Sequence, residues 1–281
     1  DYLAEHIEKD EVNLDRLLSF PEDITDEVKA LQACGASLFR LGKQTCIFSY
    51  MADTPGALKE LLVSLSKLNC GLLHIDNANP AMVTESRTEL FTNYLTPGST
   101  AAMGVESFDP EVAEVNNLNC DFDTALEAIR IINRIGGFRT ENGTHALLPG
   151  INILLGLEGE SRVTLERNFE ALKLILDEGL LFRRLNIRQV VPFPGTPLFE
   201  RAGNKFLRKN RSLYPAWIER VRKEIDNPML KRVFPQGTVL RCLRSEVHEG
   251  NVTFLRQLGS YPIVTGVRKR LPLNGFFDIE V

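Results

Sequence analysis

The stretch GINILLGLEGES, residues 150–161, governs how the rest of the chain is read. An apolar run passes into a turn carrying Gly156 and Gly159, and the polar residues beyond it open a helical pattern. A short apolar segment closed by a glycine turn and followed by helical spacing is one βα unit. The pattern recurs. The expected strands are ASLFRL (36–41), GLLHID (71–76), TAAMGVE (100–106), NILLGL (152–157) and RLNIRQVV (184–191), with helical patterns at 55–69, 84–95, 121–135 and 162–178. The fold class is therefore α/β, a partial (β/α) TIM-like barrel. At the 150–161 turn, Gly156 and Gly159 remove Cβ atoms where a flat ligand approaches the backbone. The first helical turn offers free N–H groups there, and Ser161 can cap it. No Gly-Lys-[Ser/Thr] follows, which excludes a phosphate-binding P-loop.

The pattern breaks towards both ends. Pro21, Ile24, Val28 and Leu31 mark a helix that precedes the first strand, whereas in a βα barrel each helix follows one. A first strand and its loop are therefore expected upstream, and the opening at Asp1 points to a missing piece. Residues 1–20 read as irregular or helical. After residue 192 come the turn PFPGTP, a charged helical stretch at 214–226, and short β segments at 238–247, 251–257, 261–267 and 276–281. Glu249-Gly250 and Asn274-Gly275 punctuate these as turns, as in a small β-barrel-like domain. The expected organisation is an N-terminal segment at 1–20, a partial barrel at 21–204, a helical connector at 205–235 and a small β domain at 236–281.

With 43% hydrophobic and 25% charged residues in 281, the chain has a soluble globular composition. It lacks the ~18-residue apolar run of a membrane span, and its polar start is unlike a secretory signal, so a cytoplasmic protein without membrane partners is expected. Five cysteines, at 34, 46, 70, 120 and 242, are odd in number and widely spaced, which fits reduced thiols better than disulfides or a zinc site. The net charge of -4 conceals a split. Residues 1–204 carry 18 Lys/Arg against 30 Asp/Glu, and residues 205–281 carry 15 against 7, an acidic body with a basic tail suited to a polyanion.

Ligands of parallel βα folds bind where the strands end, so the polar residues leaving each strand are the site candidates. These are Lys43 and Gln44; His74, Asp76, Asn77 and Asn79; Glu106 and Ser107; Glu158 and Glu160; and Asn186, Arg188 and Gln189. Strand parity places His74 with Asp76 on one face, and likewise Asn186 with Arg188. Taken singly, each is equally a hydrogen-bonded core polar group or a helix cap.

In order, FRLGKQ, HIDNANP, AMGVESFDP, NILLGLEGES and VVPFPGTPLF resemble the successive strand ends of the radical SAM superfamily. They are most similar to its subgroup with a C-terminal helix-hairpin-helix, and the match runs from about residue 21 to the end of the chain. The resemblance implies S-adenosylmethionine as cofactor. Gly42, Lys43 and Gln44 would meet its methionyl amino group, and Glu106 and Ser107 its ribose or carboxylate. Gly156, Gly159 and Glu160 would lie beside the adenine, with Arg188, Gln189 and the Pro194-Gly195-Thr196 turn nearby; His74 and Asp76 complete the set. Such enzymes hold a four-iron four-sulfur cluster on a C-x-x-x-C-x-x-C loop after the first strand. That loop is absent here, so the cluster is expected with the missing upstream strand, a cluster-free descendant being the lesser alternative, and the chain alone is expected to be inactive. With that segment it would generate a 5′-deoxyadenosyl radical, using an electron donor. The subgroup's helix-hairpin-helix would fall beyond Val281.

Residues 240–281 resemble a TRAM domain, a β-barrel module that binds RNA. This implies RNA as a partner and RNA modification as the activity, with Phe254, Tyr261 and Phe276 as base-stacking candidates. Two alternative functions stand beside this one. The first is a metal-dependent barrel hydrolase with His74, Asp76 and Glu106 as ligands; the second is a non-enzymatic RNA-binding module working through residues 205–281.

Overall fold

A computed structural model describes residues 20–42, 46–118 and 120–281. Apart from Phe20, the expected N-terminal segment lies outside these residues, as do the candidates Lys43 and Gln44. Helix α1 (Pro21–Ala33) starts with proline at its first position, while the Phe20 N–H donates to Asp23 Oδ2 at 3.1 Å. There follow β1 (Leu38–Leu41), α2 (Ala57–Ser66), β2 (Leu72–Ile75), β3 (Asn77–Ala78), α3 (Glu85–Tyr94) and β4 (Ser99–Glu106). Next come α4 (Pro110–Val115), α5 (Phe122–Gly136), β5 (Leu147–Leu155), α6 (Arg162–Asp177) and β6 (Arg184–Gln189).

All of these strands pair in parallel, β1 with β2 in one sheet and β3-β4-β5-β6 in the other. Asp76 joins the two sheets. Its N–H donates to the Leu41 carbonyl at 3.0 Å, and its carbonyl accepts from the Ala102 N–H at 3.1 Å. The strands therefore lie side by side in chain order with no reversal, the arrangement made by repeated right-handed βα crossovers.

Residue alternation divides each strand between two faces. On β4, Ala101, Met103 and Val105 are fully buried against the helices, as are Ile151, Ile153 and Leu155 on β5. Leu61, Leu62 and Leu65 of α2 and Ile129 and Ile132 of α5 close over that side, each stabilising the fold by about 2 kcal/mol through burial. Strand β5 starts five residues earlier than expected. Pro149 and Gly150 read as a turn in isolation, yet both pair with β4, at Ala101 and Ala102.

After β6 the chain forms α7 (Pro197–Arg201), α8 (Lys205–Asn210), α9 (Tyr214–Val221), a π-helical turn at Arg222–Asp226 and α10 (Asn227–Val233). The last part is a curled antiparallel sheet of β7 (Val239–Glu249), β8 (Val252–Arg256), β9 (Val264–Val267) and β10 (Phe276–Glu280), in the order β10-β7-β8-β9. Leu240, Leu243 and Leu255 continue the core of the parallel sheets. No helix among the described residues is long and apolar enough to cross a membrane.

Candidate functional site

The face of the parallel sheet turned away from the helices carries most of its polar residues, and they form two layers. In the lower layer, His74 pairs in register with Arg40, and its buried ring is covered by the loop between β8 and β9. Ser260 Oγ lies 2.9 Å from His74 Nδ1, and the Ser260 N–H donates to the same atom at 3.2 Å. His74 Nε2 has no hydrogen-bond partner. Burial lowers the imidazole pKa to about 4, partly offset by the Pro97 and Thr96 backbone, so the ring is neutral. Tyr261 of the same loop lies against the Arg184 guanidinium, 4.6 Å from ring centre to carbon, and its carbonyl accepts from Arg183 at 2.7 Å. Thr100, Gly150, Asn152, Arg184 and Tyr261 meet at this level around a crevice too tight to admit a water molecule.

The upper layer lies at the strand ends. Arg40 and Asp76 form an ion pair at 3.3 Å that stays half-exposed, worth under about 1 kcal/mol to stability and free to reorganise around a ligand. A Cβ on Gly42 would sit 2.8 Å from Asp76 Cβ, so glycine there lets β1 pass close to the carboxylate. Across β4–β6, Gly104 is in register with Asn152 and Asn152 with Asn186, and Asn186 Nδ2 donates to Asn152 Oδ1 at 3.1 Å.

Glu106 ends β4 at a register shift, with φ +64, a left-handed conformation that costs a residue with a side chain roughly 1 kcal/mol. The shift re-aims its side chain, which stands over the face of Gly104: a Cβ there would lie 2.9 Å from Glu106 Oε1. Glu106 Oε2 is buried without a partner. Burial raises this carboxyl to about 7, with Arg188 pulling it the other way, so near neutrality it is poised between its charged and neutral forms.

The other candidates have different duties. Gly156 has φ +92, and a Cβ on it would fall 2.2 Å from Leu207 Cγ, so helix α8 occupies the space where a flat ligand was expected. Glu160 is buried and accepts from the Gly156 N–H at 2.9 Å, from Asn210 Nδ2 at 3.2 Å and from the Tyr214 hydroxyl. Burial raises its pKa against those three donors; it is a tie between the β5–α6 turn and helices α8 and α9. Gly159 needs its glycine for φ +86, with only Val112 within 4 Å of a Cβ. Ser107 faces the helices, its Oγ donating to Asn168 Oδ1 at 3.4 Å and accepting from the Asp109 N–H at 3.1 Å. Gln189 is exposed and opposite in parity to Arg188. Asn79 caps its own turn by accepting from the Ala81 N–H at 3.1 Å. Glu158 pairs with Arg201 at 2.8 Å.

The structure thus groups Gly42 and Asp76 with Arg40 at the ends of β1 and β2, and Glu106 and Arg188 with Gly104 at β4–β6, where Asn152 and Asn186 also pair; of Arg40, Gly104, Asn152 and Asn186, the sequence reading singled out only Asn186. Arg40 was legible as the residue two before Gly42 in FRLGKQ, and Gly104 as the residue two before Glu106. Among the described residues no group of three or more His, Cys, Asp or Glu side chains is arranged to hold a metal ion. His74, Asp76 and Glu106 do not act as a ligand set because His74 lies a layer lower under Ser260 and Asp76 faces Arg40. Of the three aromatic stacking candidates, Phe254 and Phe276 lie on the outer face of the C-terminal sheet and Tyr261 lies apart from them. Tyr261 packs on Arg184, the Phe254 ring lies over Gly266, and Phe276 is exposed on the last strand.

No family model matches the chain. The uncharacterized protein MJ0274 of Methanocaldococcus jannaschii is 45% identical over 279 residues, covering 92% of this chain and 51% of that protein. An uncharacterized protein of Archaeoglobus fulgidus is 41% identical over 276 residues, covering 93% of this chain and 52% of its own length. The chain spans about half the length of these curated relatives. Among solved structures, similarity extends to the radical S-adenosylmethionine methyltransferase TsrM of Kitasatospora setae, with cobalamin and a four-iron four-sulfur cluster bound, at TM-score 0.45 and 16% identity over 63% of this chain and 32% of that one. The archaeal Elp3 of Methanocaldococcus infernus follows at TM-score 0.43 and 15% identity, over 70% of this chain and 46% of that one. Coproporphyrinogen III oxidase (HemN) of Escherichia coli, a radical SAM enzyme, has TM-score 0.39 and 13% identity, over 58% of this chain and 37% of that one. By sequence the chain is similar to longer archaeal proteins, and by partial likeness of fold to these three enzymes.

Proposed function

We propose that the upper layer of the inner face binds S-adenosylmethionine and that the chain is the cofactor-binding part of a radical SAM enzyme. The observation that carries this reading is Glu106, a carboxyl held in a left-handed backbone conformation with one buried oxygen unpartnered and its pKa raised by burial to about 7. Arg188 is near enough to act on it electrostatically, and the Arg40–Asp76 ion pair lies at the ends of the neighbouring strands. A zwitterionic amino acid joined to a ribose needs this mixture: cations for its carboxylate, carboxylates for its ammonium and hydroxyl groups. Gly42 makes room for the Asp76 side chain and Gly104 for that of Glu106, so the two glycines set both carboxylates in place. On this reading Asp76 receives the ammonium group, Arg40 or Arg188 the carboxylate, and Glu106 the ribose hydroxyls, as donor or acceptor according to its protonation. The order of strand-end motifs from FRLGKQ to VVPFPGTPLF supports the same cofactor.

Bound beside a reducing iron-sulfur cluster, this cofactor supplies a carbon radical able to take hydrogen from an unreactive C–H bond. The described residues do not fit that cluster. Cys34 and Cys242 are exposed, Cys46 and Cys120 are buried, and all five cysteines are free and far apart in sequence. The reading therefore assigns the cluster to a segment outside them and requires an electron donor for the complete enzyme.

Calorimetric titration with S-adenosylmethionine tests the proposal. Without a cluster, saturable 1:1 binding on the order of 0.1–1 mM is expected, corresponding to roughly 4–5.5 kcal/mol. Gly42→Ala and Glu106→Ala should each weaken it at least tenfold with unfolding curves still cooperative, whereas Gln189→Ala should leave it unchanged. A wild-type chain that takes up no S-adenosylmethionine, or variants that bind as tightly as wild type, would overturn it.

A further inference from the structure

We infer that helix α8 and the loop before it form a docking ridge for single-stranded RNA at the mouth of the inner face. From Arg201 to Ile218 the chain carries five cations, Arg201, Lys205, Arg208, Lys209 and Arg211, and no Asp or Glu, at the start of the basic region that follows the acidic body. Arg201 is neutralised by Glu158. Among the described residues none of the other four has an ion-pair partner, and all are exposed.

Their placement follows from how α8 is anchored. Leu207 fills the space over Gly156, and Asn210 Nδ2 donates to the Glu160 carbonyl at 2.9 Å, so the side of α8 bearing residues 207 and 210 faces the C-terminal end of β5. Lys205, Arg208 and Lys209, spaced i, i+3 and i+4, share the opposite side and point to solvent. Beside them the PFPGTP loop displays Phe193, which is 65% exposed, and α7 displays Phe199, 41% exposed. The loop is held in shape, with the Phe193 carbonyl accepting from both the N–H and the hydroxyl of Thr196, at 3.1 and 2.7 Å.

Two exposed aromatic rings next to a row of unneutralised cations match phosphates alternating with unstacked bases. Single-stranded RNA presents that alternation, and its splayed bases are the usual targets of aromatic stacking. Leu207 and Val190 both border Gly156, so the ridge stands at the ends of β5 and β6, on the same edge of the sheet as Arg188. Its role as substrate dock rests on the cofactor reading of that face; its binding of RNA does not.

Fluorescence anisotropy with a labelled single-stranded RNA of about 15 nucleotides, a length near the upper site size of one binding module, tests the inference without cofactor. The triple variant Lys205→Glu, Arg208→Glu, Lys209→Glu should bind at least tenfold more weakly. The slope of log affinity against log salt should shrink by about 2, as three lost contacts to single-strand phosphates require. Phe193→Ala should weaken binding about tenfold with the salt slope unchanged. Arg244→Glu with Arg256→Glu, on the C-terminal sheet, should bind like wild type. Unfolding curves and S-adenosylmethionine titration of the triple variant are run alongside. Lost RNA binding with intact folding supports the ridge, and it does so even if no S-adenosylmethionine binds, which would sink only the cofactor reading. No RNA binding by wild type, tighter binding to duplex DNA or to phosphatidylserine vesicles, or loss only in the Arg244/Arg256 variant would overturn it.

Discussion

Replacing Glu106 with Gln removes a titrating proton while keeping the side chain's size and leaving the positive φ unchanged. The carboxyl is raised from 4.5 to about 7 in the folded protein, so between those values the native state holds a proton that the unfolded chain has released. Stability must therefore fall as pH rises from about 4.5 to 7 and stay lower above it. Each tenfold change in proton affinity is worth about 1.4 kcal/mol, which gives roughly 3 kcal/mol for a fully sequestered group. Part of the carboxyl remains in reach of water, which reduces the figure to about 1.5 kcal/mol. The Gln variant lacks this penalty. In urea unfolding at pH 5 and pH 8, Glu106→Gln should match wild type within error at the lower pH and exceed it by about 1.5 kcal/mol at the higher. Other titrating groups contribute equally to both proteins and cancel in the difference. Parallel pH profiles for the two would refute the reasoning, since the carboxyl would then be as well solvated folded as unfolded.

Three further outcomes are expected. Gly156→Ala should cost more than ~2 kcal/mol, because the added methyl meets Leu207 in a left-handed backbone, and Leu207→Ala in the same chain should recover part of the loss, measured as non-additivity in a double-mutant cycle. Glu160→Ala should destabilise by roughly 3–5 kcal/mol in chemical denaturation, since it strands donors from Gly156, Asn210 and Tyr214 in a buried site. Buried His74 and His145, both lowered to about 4, bind protons in the unfolded chain first. Stability should thus fall as pH drops from 6.5 towards 4, and His74→Gln should flatten that slope in thermal unfolding.

The sequence was a good guide wherever a local rule acts alone. Apolar runs of strand length and helices closed by glycine placed all five main parallel strands, because alternation and helical spacing follow directly from which face is buried. It misjudged Pro149 and Gly150, whose local preference for turns is overridden by pairing with β4. Helices α4, α7 and α8 are too short to show a period, so they went unnoticed between glycine and proline signals.

The site was legible only in part for a related reason. Parity correctly put Asp76 on the inner face, and it puts Glu106 there too, two residues beyond Gly104, but the register shift and positive φ at Glu106 have no local signal. The GLEGES turn promised a ligand cradle on composition, yet whether a glycine leaves room for a ligand or for a leucine depends on α8, some fifty residues away. Still longer separations hid the Ser260 and Tyr261 plug beneath His74 and Arg184, a contact between the C-terminal sheet and the parallel one that no local pattern encodes.

Backbone hydrogen exchange with and without S-adenosylmethionine probes the inner face most directly. Binding there should slow exchange at the ends of the parallel strands, in segments containing Gly42, Asp76, Glu106 and Arg188, and leave the antiparallel C-terminal sheet unaffected. Protection confined to that sheet, or to the groove between it and the parallel strands where Arg241 and Cys242 lie, would contradict the assignment.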